Sequence, residues 1–192
     1  AMTMVPMANA TGLTMISPTV TTSALTGQDD QFFRVISSTR EYAHASARFH
    51  AQVGKRSRLA AVLDLSNAAY TERWLDDFED EFRRLGGQVI TREGYRFEPG
   101  MSFQDLARRA LAGQPDGLVL LTGAVDAAQV LQQVRKLQPA LPVMTAEWAA
   151  TEQLLELAGA AADGVVAAQF LDRNDGSPDR KSTRLNSSHG II

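Results

Sequence analysis

Hydroxyl side chains are concentrated in one short stretch of the chain, which reads Ser17-Pro18-Thr19-Val20-Thr21-Thr22-Ser23. The stretch follows an apolar run at residues 13–16 that has the composition of a strand. In an open parallel α/β sheet, ligands bind at the carboxyl ends of the strands. Hydroxyl and backbone groups in a loop there can hold a small polar ligand without covalent chemistry. Serine, threonine and proline are also ordinary turn residues, so the loop alone leaves both interpretations open.

Groups that could catalyse a reaction are few. The chain contains no cysteine, which excludes disulfides and thiol catalysis. His44 and His50 are six residues apart and would not share one face of a helix, as a pair of metal ligands must. Neither a glycine-rich phosphate loop nor a Gly-x-Ser-x-Gly elbow is present. We predict no enzyme activity, no cofactor and no metal; an α/β enzyme is the alternative from another class.

An acidic run near the middle of the chain has two interpretations. Five carboxylates precede Arg83 and Arg84, namely Asp76, Asp77, Glu79, Asp80 and Glu81. Such a run could bind a metal ion, but acidic residues before basic ones in a helix also complement the helix dipole. We predict a solvated helix face.

Strand-like and helix-like segments alternate along the rest of the chain. Strands are predicted at residues 31–36, 58–65, 88–95, 116–121, 142–145 and 164–170. Helices are predicted at residues 40–52, 69–85, 125–137 and 151–157, with a further helix that Ser102 caps and Gly113 ends. The clearest helix places Trp74, Phe78, Phe82 and Leu85 in one apolar stripe. This alternation predicts a parallel, doubly wound, Rossmann-like α/β sheet with helices on both faces.

Composition limits the possible partners. A chain of 192 residues can form one or two compact units. The formal net charge is -3 and there is no long basic run, so we expect no nucleic acid partner. No apolar run is long enough to span a membrane.

Both ends of the sequence look artificial. Residues 1–10 read as the body of a helix that ends near Gly12, so we expect that preceding residues have been lost. Residues 179–192 resemble a translated sequencing adapter and are set aside from the fold. We expect a fragment.

Motifs spread along the chain point to one family. They are Ile16-Ser17-Pro18-Thr19-Val20-Thr21, Phe33-Arg34-Val35, the strand at 59–63 with Tyr70, Phe103 onward, Pro115-Asp116-Gly117-Leu118-Val119 and Met144-Thr145-Ala146-Glu147. In order and spacing, residues 1–178 resemble the substrate-binding proteins of branched-chain amino-acid ABC transporters, which are type 1 periplasmic binding proteins. The resemblance implies two α/β lobes joined by three crossing strands, with the ligand between them.

The same resemblance implies a division of the chain. Residues 1–31 would be a remnant of the first lobe and residues 32–38 the first hinge crossing. Residues 39–170 would form a nearly complete second lobe. Residues 171–178 would begin the second crossing, and residues 179–192 would be the artefactual tail.

Four ligand-binding residues follow from the resemblance. Thr19 would offer its backbone carbonyl to a ligand ammonium, and Thr21 its hydroxyl and amide to the ammonium or carboxylate. Tyr70 would close over the ligand, and Glu147 would pair with the α-ammonium. Without the resemblance, Glu147 reads equally as a solvent-facing acid before a helix or as a ligand contact, and Tyr70 as an ordinary packing or surface residue. Trp148 could line the cleft, although a half-buried tryptophan needs no ligand to explain it.

The implied function is that of an extracytoplasmic, periplasmic receptor, which captures an amino acid or similar small polar ligand and delivers it to an ABC transporter permease. A ligand-sensing domain of the same fold in a signalling protein is the alternative. Two departures affect ligand choice. Ala124-Val125 stands where some members have an aromatic contact, and the loop that would supply serine donors to the ligand carboxylate lies before residue 1.

Overall fold

Two parallel sheets form the framework of the protein. The computed structural model describes residues 2–168. Its strands are β1 Met15–Ser17, β2 Phe32–Arg34, β3 Arg58–Asp64, β4 Gln88–Tyr95, β5 Gly117–Leu121, β6 Val143–Thr145 and β7 Val166–Ala167. β1 pairs with β2, while the larger sheet has the order β4-β3-β5-β6-β7, and every pairing is parallel.

Six α-helices lie within residues 2–168; the first precedes β1, and each of the other five connects two strands. They are α1 Val5–Thr11, α2 Thr39–Arg48, α3 Ala68–Arg84, α4 Phe103–Leu111, α5 Ala124–Leu137 and α6 Glu152–Ala158. A π-helical turn at Phe49–Val53 extends α2, and 3₁₀ turns lie at Ser23–Leu25, Leu65–Asn67 and Gly159–Ala162. No helix among residues 2–168 combines the length and the apolar character that crossing a bilayer requires.

The central strands of the larger sheet, β3, β5 and β6, are buried on both faces, as the doubly wound prediction requires. Along β3, Ala60 and Val62 face one apolar cluster with α4, α5 and α6, while Leu59, Ala61 and Leu63 face a second cluster with α2 and α3. All five of these side chains are at most 4% exposed. The alternation of faces along a strand therefore explains why its sequence is apolar almost throughout.

An aromatic stack anchors α3 to the sheet. Trp74, Phe78 and Phe82 are fully buried, with successive ring centroids 5.5 and 5.3 Å apart. Leu85, which the predicted stripe included, is 36% exposed because it lies beyond the last turn of the helix. A Cβ at Gly87 would lie 2.3 Å from the Phe82 ring, so only glycine fits where the chain turns back into β4.

The acidic face of α3 is not simply solvated, which corrects the sequence-based prediction. Asp77 and Glu81 are only 2% and 8% exposed. Arg40 and Arg48 of α2 reach them at 3.5 and 3.1 Å, and arginines of α3 itself add further ion pairs. Helix α2 packs against this side of α3 and so removes part of the acidic run from water. Residues 2–168 hold no group of three acidic, histidine or cysteine side chains arranged to bind a metal ion.

Several element boundaries differ from the predicted ones. Helix α1 begins at Val5 and ends at Thr11, after which Gly12 adopts a left-handed conformation with φ of 68°. Strand β7 is two residues long within the described range. The remainder of the predicted strand at 164–170, the predicted crossing at 171–178 and the predicted tail at 179–192 lie outside the described residues.

Candidate ligand-binding cleft

The four predicted site residues line one cleft. Its volume is about 210 Å³, and its walls are Thr19, Thr21, Asn67, Tyr70, Glu147 and Trp148. The threonines follow β1, Asn67 and Tyr70 follow β3, and the acid and the tryptophan follow β6. The cleft thus lies at the carboxyl ends of parallel strands, where open α/β sheets bind ligands.

The hydroxyl-rich loop is held in shape by its first residue. Ser17 is 7% exposed, and its Oγ accepts the backbone N–H groups of Thr19 at 3.4 Å and Val20 at 3.1 Å. The carbonyl of Thr21 accepts the backbone N–H of Thr39, at the start of α2, at 2.7 Å. These bonds fix the loop between β1 and α2, so the positions of both threonines at the cleft are set by backbone contacts.

The Glu147 carboxylate is buried and held by two neutral donors. It is 5% exposed. The Tyr70 hydroxyl donates to Oε1 at 2.8 Å, and the Trp74 indole N–H donates to Oε2 at 3.1 Å. Both donors lie on the first turns of α3, four residues apart and therefore on one helix face. The aromatic stripe that packs α3 on the sheet also orients the acid.

Burial dominates the electrostatics of this group. Desolvation raises the pKa of Glu147 above its usual value, while hydrogen bonds from its own backbone N–H, Tyr70 and Trp74 oppose that rise. Burial, followed by the neighbouring charge of Glu147, also raises the pKa of Tyr70. No arginine, lysine or histidine among residues 2–168 forms an ion pair with Glu147. A positively charged ligand group would supply the charge that these neutral donors lack.

Two lining residues were absent from the predicted set. Asn67 directly precedes α3 and is exposed. Its place just after β3 is the signal that could have identified it, because polar residues at the carboxyl ends of strands are candidates for ligand contact. Trp148 is 36% exposed and meets the Tyr70 ring edge-on at 5.7 Å. Ala124 and Val125 are not among the residues that line the cleft.

A parallel sheet with helices on both faces and a polar cleft at its strand ends is the architecture of a ligand-binding α/β protein. The family model described as periplasmic binding protein matches residues 1–185. The chain therefore belongs to the periplasmic binding protein family. The matched range includes residues 179–185. The adapter origin of residues 179–192 therefore remains a prediction. No curated protein matches the chain.

Solved structures share the fold at low sequence identity. A leucine-binding protein from Thermotoga maritima has a TM-score of 0.79 at 19% identity, covering 96% of this chain and 53% of its own. A branched-chain amino acid ABC transporter protein from Thermus thermophilus with bound valine also has a TM-score of 0.79 at 19% identity, covering 96% of this chain and 48% of its own. A solute-binding protein from R. palustris in complex with benzoate has a TM-score of 0.79 at 18% identity, covering 98% of this chain and 52% of its own.

The chain spans about half the length of these structures. The predicted fold class is confirmed: the larger sheet and its helices form one nearly complete lobe of a type 1 periplasmic-binding-protein fold, accompanied by part of the other lobe.

Proposed function

We propose that this chain is part of an extracytoplasmic, periplasmic solute-binding receptor, which captures an amino acid or similar small polar ligand and delivers it to an ABC transporter permease. The observation that supports this most is the buried Glu147 carboxylate, which has two neutral donors and borders the same cleft as Thr19 and Thr21. A buried carboxylate without a cationic partner is costly. A ligand ammonium beside it would offset that cost by a charge-assisted hydrogen bond.

Each lining residue has a proposed task. Glu147 pairs with the α-ammonium, and the Thr19 carbonyl accepts a second ammonium hydrogen bond. The Thr21 hydroxyl and amide bind the main-chain end of the ligand, and the Tyr70 ring covers it.

The proposed division of the chain gives these residues a mechanical role. Residues 1–31 belong to the first lobe, residues 32–38 to the first hinge crossing, and residues 39–170 to the second lobe. The threonines then approach the ligand from one lobe, and Tyr70 and Glu147 approach it from the other. Contacts to both lobes favour the closed state, so ligand binding shifts the population toward it. Closure presents the ligand to the permease, and no chemical change of the ligand is involved.

The test is a calorimetric titration of the full-length receptor that contains this chain. Proteinogenic amino acids would be compared with analogues that lack only the α-ammonium group. We expect at least one amino acid to bind, its deaminated analogue to bind at least about 30-fold more weakly because a buried charge pair is lost, and the ligand to be recovered unchanged. Binding of no amino acid, or equal binding of the deaminated analogue, would contradict the proposal.

A further inference from the structure

Trp148 is fixed in place on two sides. Its ring meets Tyr70 edge-on, with an interplanar angle of 82°. On another side the indole lies over Gly123, where an added Cβ would stand only 3.6 Å from the ring. Gly123 directly precedes α5, and Ala149, the residue after Trp148, is fully buried. The indole is therefore packed against Tyr70 of α3 and against the residue that precedes α5.

The part of Trp148 that remains uncovered borders the cleft. The side chain is 36% exposed, whereas the protein's other tryptophan, Trp74, is fully buried. The remaining lining residues are hydroxyl, amide or carboxylate side chains, together with Tyr70, whose hydroxyl is bound to Glu147. Trp148 and the ring of Tyr70 thus provide the aromatic surface that the cleft offers to a ligand. A rigid aromatic surface held in this way is typical of a contact that selects by shape and apolar area.

Trp148 directly follows Glu147 in the chain, and this adjacency indicates which part of the ligand the indole would contact. Glu147 fixes the ammonium in the proposed function, and the side chain of an amino acid leaves the same carbon atom as the ammonium. We propose that Trp148 is the wall that selects the ligand side chain, and that it makes the receptor prefer amino acids with large aliphatic or aromatic side chains over alanine. This inference rests on the proposed function, because it assumes that Glu147 holds the ammonium.

The experiment compares the affinities of alanine, leucine and phenylalanine by calorimetry in the full-length receptor. The variants are Trp148→Ala, Trp148→Phe and, as a matched control, Leu137→Ala. Leu137 is 39% exposed, and it lies at the carboxyl end of α5, away from the cleft-lining residues. We expect the unsubstituted receptor to bind leucine or phenylalanine at least about tenfold more tightly than alanine, as apolar pockets discriminate between side chains of different size.

In Trp148→Ala this preference should fall below about threefold, with little change in the affinity for alanine, because only the apolar contact is lost. Trp148→Phe should restore most of the preference, and Leu137→Ala should leave it unchanged. A preference that persists in Trp148→Ala would overturn the inference but leave the proposed function intact. Absence of binding by all three amino acids in the unsubstituted receptor would overturn the inference, whereas the proposed function fails only if no proteinogenic amino acid binds.

A second measurement uses fluorescence. Leucine should reduce the quenching of tryptophan fluorescence by acrylamide more in the unsubstituted full-length receptor than in Trp148→Phe, because Trp148 is partly exposed before the ligand covers it and is the one tryptophan by which the two proteins differ. An equal reduction in both proteins with leucine bound would show that leucine does not cover Trp148 and would overturn the inference.

Discussion

At the scale of single residues, the Glu147 carboxylate is the group on which the cleft depends. Its two oxygens each accept one hydrogen bond, from Tyr70 and Trp74. These donors orient the acid but do not neutralise it, and burial raises its pKa. The ammonium group of a ligand binds the ionised form of Glu147, so ligand binding must lower the pKa of Glu147 again. Ligand affinity is therefore expected to fall as the pH is lowered through the raised pKa of Glu147.

Tyr70→Phe tests this coupling. The substitution keeps the ring and removes the hydroxyl that stabilises the ionised carboxylate, so the pKa of Glu147 should rise further. We expect the acid-side loss of affinity to move to higher pH, with a modest loss of affinity at neutral pH. Calorimetric titrations across a pH series measure this directly. An unchanged pH profile would show that the Tyr70 hydroxyl does not control the protonation of Glu147.

His50 makes the stability of the fold depend on pH, and this stability, like the ligand affinity, is expected to fall as the pH is lowered. Burial, followed by the charge of Arg56, lowers the pKa of His50 from 6.5 to about 4, and the side chain is 1% exposed. The unfolded chain binds the proton more readily, so the stability from neutral His50 is present above pH 6.5 and is lost as the pH falls toward 4. The loss is about 3 kcal/mol.

His50→Gln should remove most of that pH dependence of the free energy of unfolding. Denaturant titrations between pH 7 and 4 would show it, with His44→Gln on the same stretch of helix as control. If both variants retain the full dependence, His50 is not its source.

The sequence could indicate the candidate site only through its resemblance to a family. Residue types alone left Glu147 as a possible surface acid, and no local pattern shows that Trp74 donates to it. That bond depends on how α3 lies against the turn after β6, which is a tertiary property. For the same reason Asn67 was missed as a site residue and Trp148 was left between a cleft contact and ordinary packing: their positions at the cleft depend on the packing of three separate segments.

At the scale of elements, the α2–α3 pair combines apolar packing with ion pairs. Asp77 is the most buried acid of α3, and it pairs with Arg73 on its own helix at 3.1 Å and with Arg40 of α2 at 3.5 Å. Arg73 also donates through Nε to the Ser23 hydroxyl at 2.9 Å. These contacts link α3 both to α2 and to Ser23, the last residue of the hydroxyl-rich loop.

The double variant Arg40→Ala, Arg73→Ala tests the importance of these pairs. It leaves Asp77 buried without a cation, which should cost about 3 kcal/mol and lower Tm by about 6–12 °C. Each single variant should cost much less, because one arginine remains. Arg83→Ala is a suitable control, since Arg83 pairs only with Glu79 and the exposed Asp80 among residues 2–168. Additive small effects in a thermal unfolding series would contradict this account.

Most elements could be predicted from local patterns. Gln88–Tyr95 and the start of β3 agree with the predicted residues, and Ser102 caps α4 by accepting the backbone N–H of Asp105 at 3.1 Å, as expected. Local patterns do not show which face of α2 is buried. Ala45 is exposed whereas Ser46 and His50 are buried, because the rotation of a helix with few large apolar residues is set by its neighbour rather than by its own sequence.

At the scale of the whole molecule, the proposed two-lobed arrangement accounts for an exposed apolar surface. Leu13, Ile16, Phe33 and Val35, in and beside the small sheet, are 56–78% exposed. Large exposed apolar side chains in one place usually mark an interaction surface. In the proposed layout, the rest of the first lobe covers them.

The 192-residue chain is therefore expected to bind amino acids far more weakly than the full-length receptor. In the proposed layout this chain lacks the contacts from the rest of the first lobe, so closure about the proposed hinge could not be completed. Titration of both proteins with the same amino acid measures the difference. Binding of equal affinity by the 192-residue chain would show that the proposed boundaries at residues 31 and 38 are wrong.

The most direct test of the whole account is Glu147→Gln in the full-length receptor. The amide keeps the size of the side chain and removes its charge. Affinity for the amino acid should fall at least about 30-fold. The free energy of unfolding at neutral pH should not fall, because a buried carboxylate with a raised pKa contributes stability below its ordinary pKa and loses it as the pH rises. Calorimetry showing unchanged affinity in a variant that folds normally would remove Glu147 from the site and contradict the account.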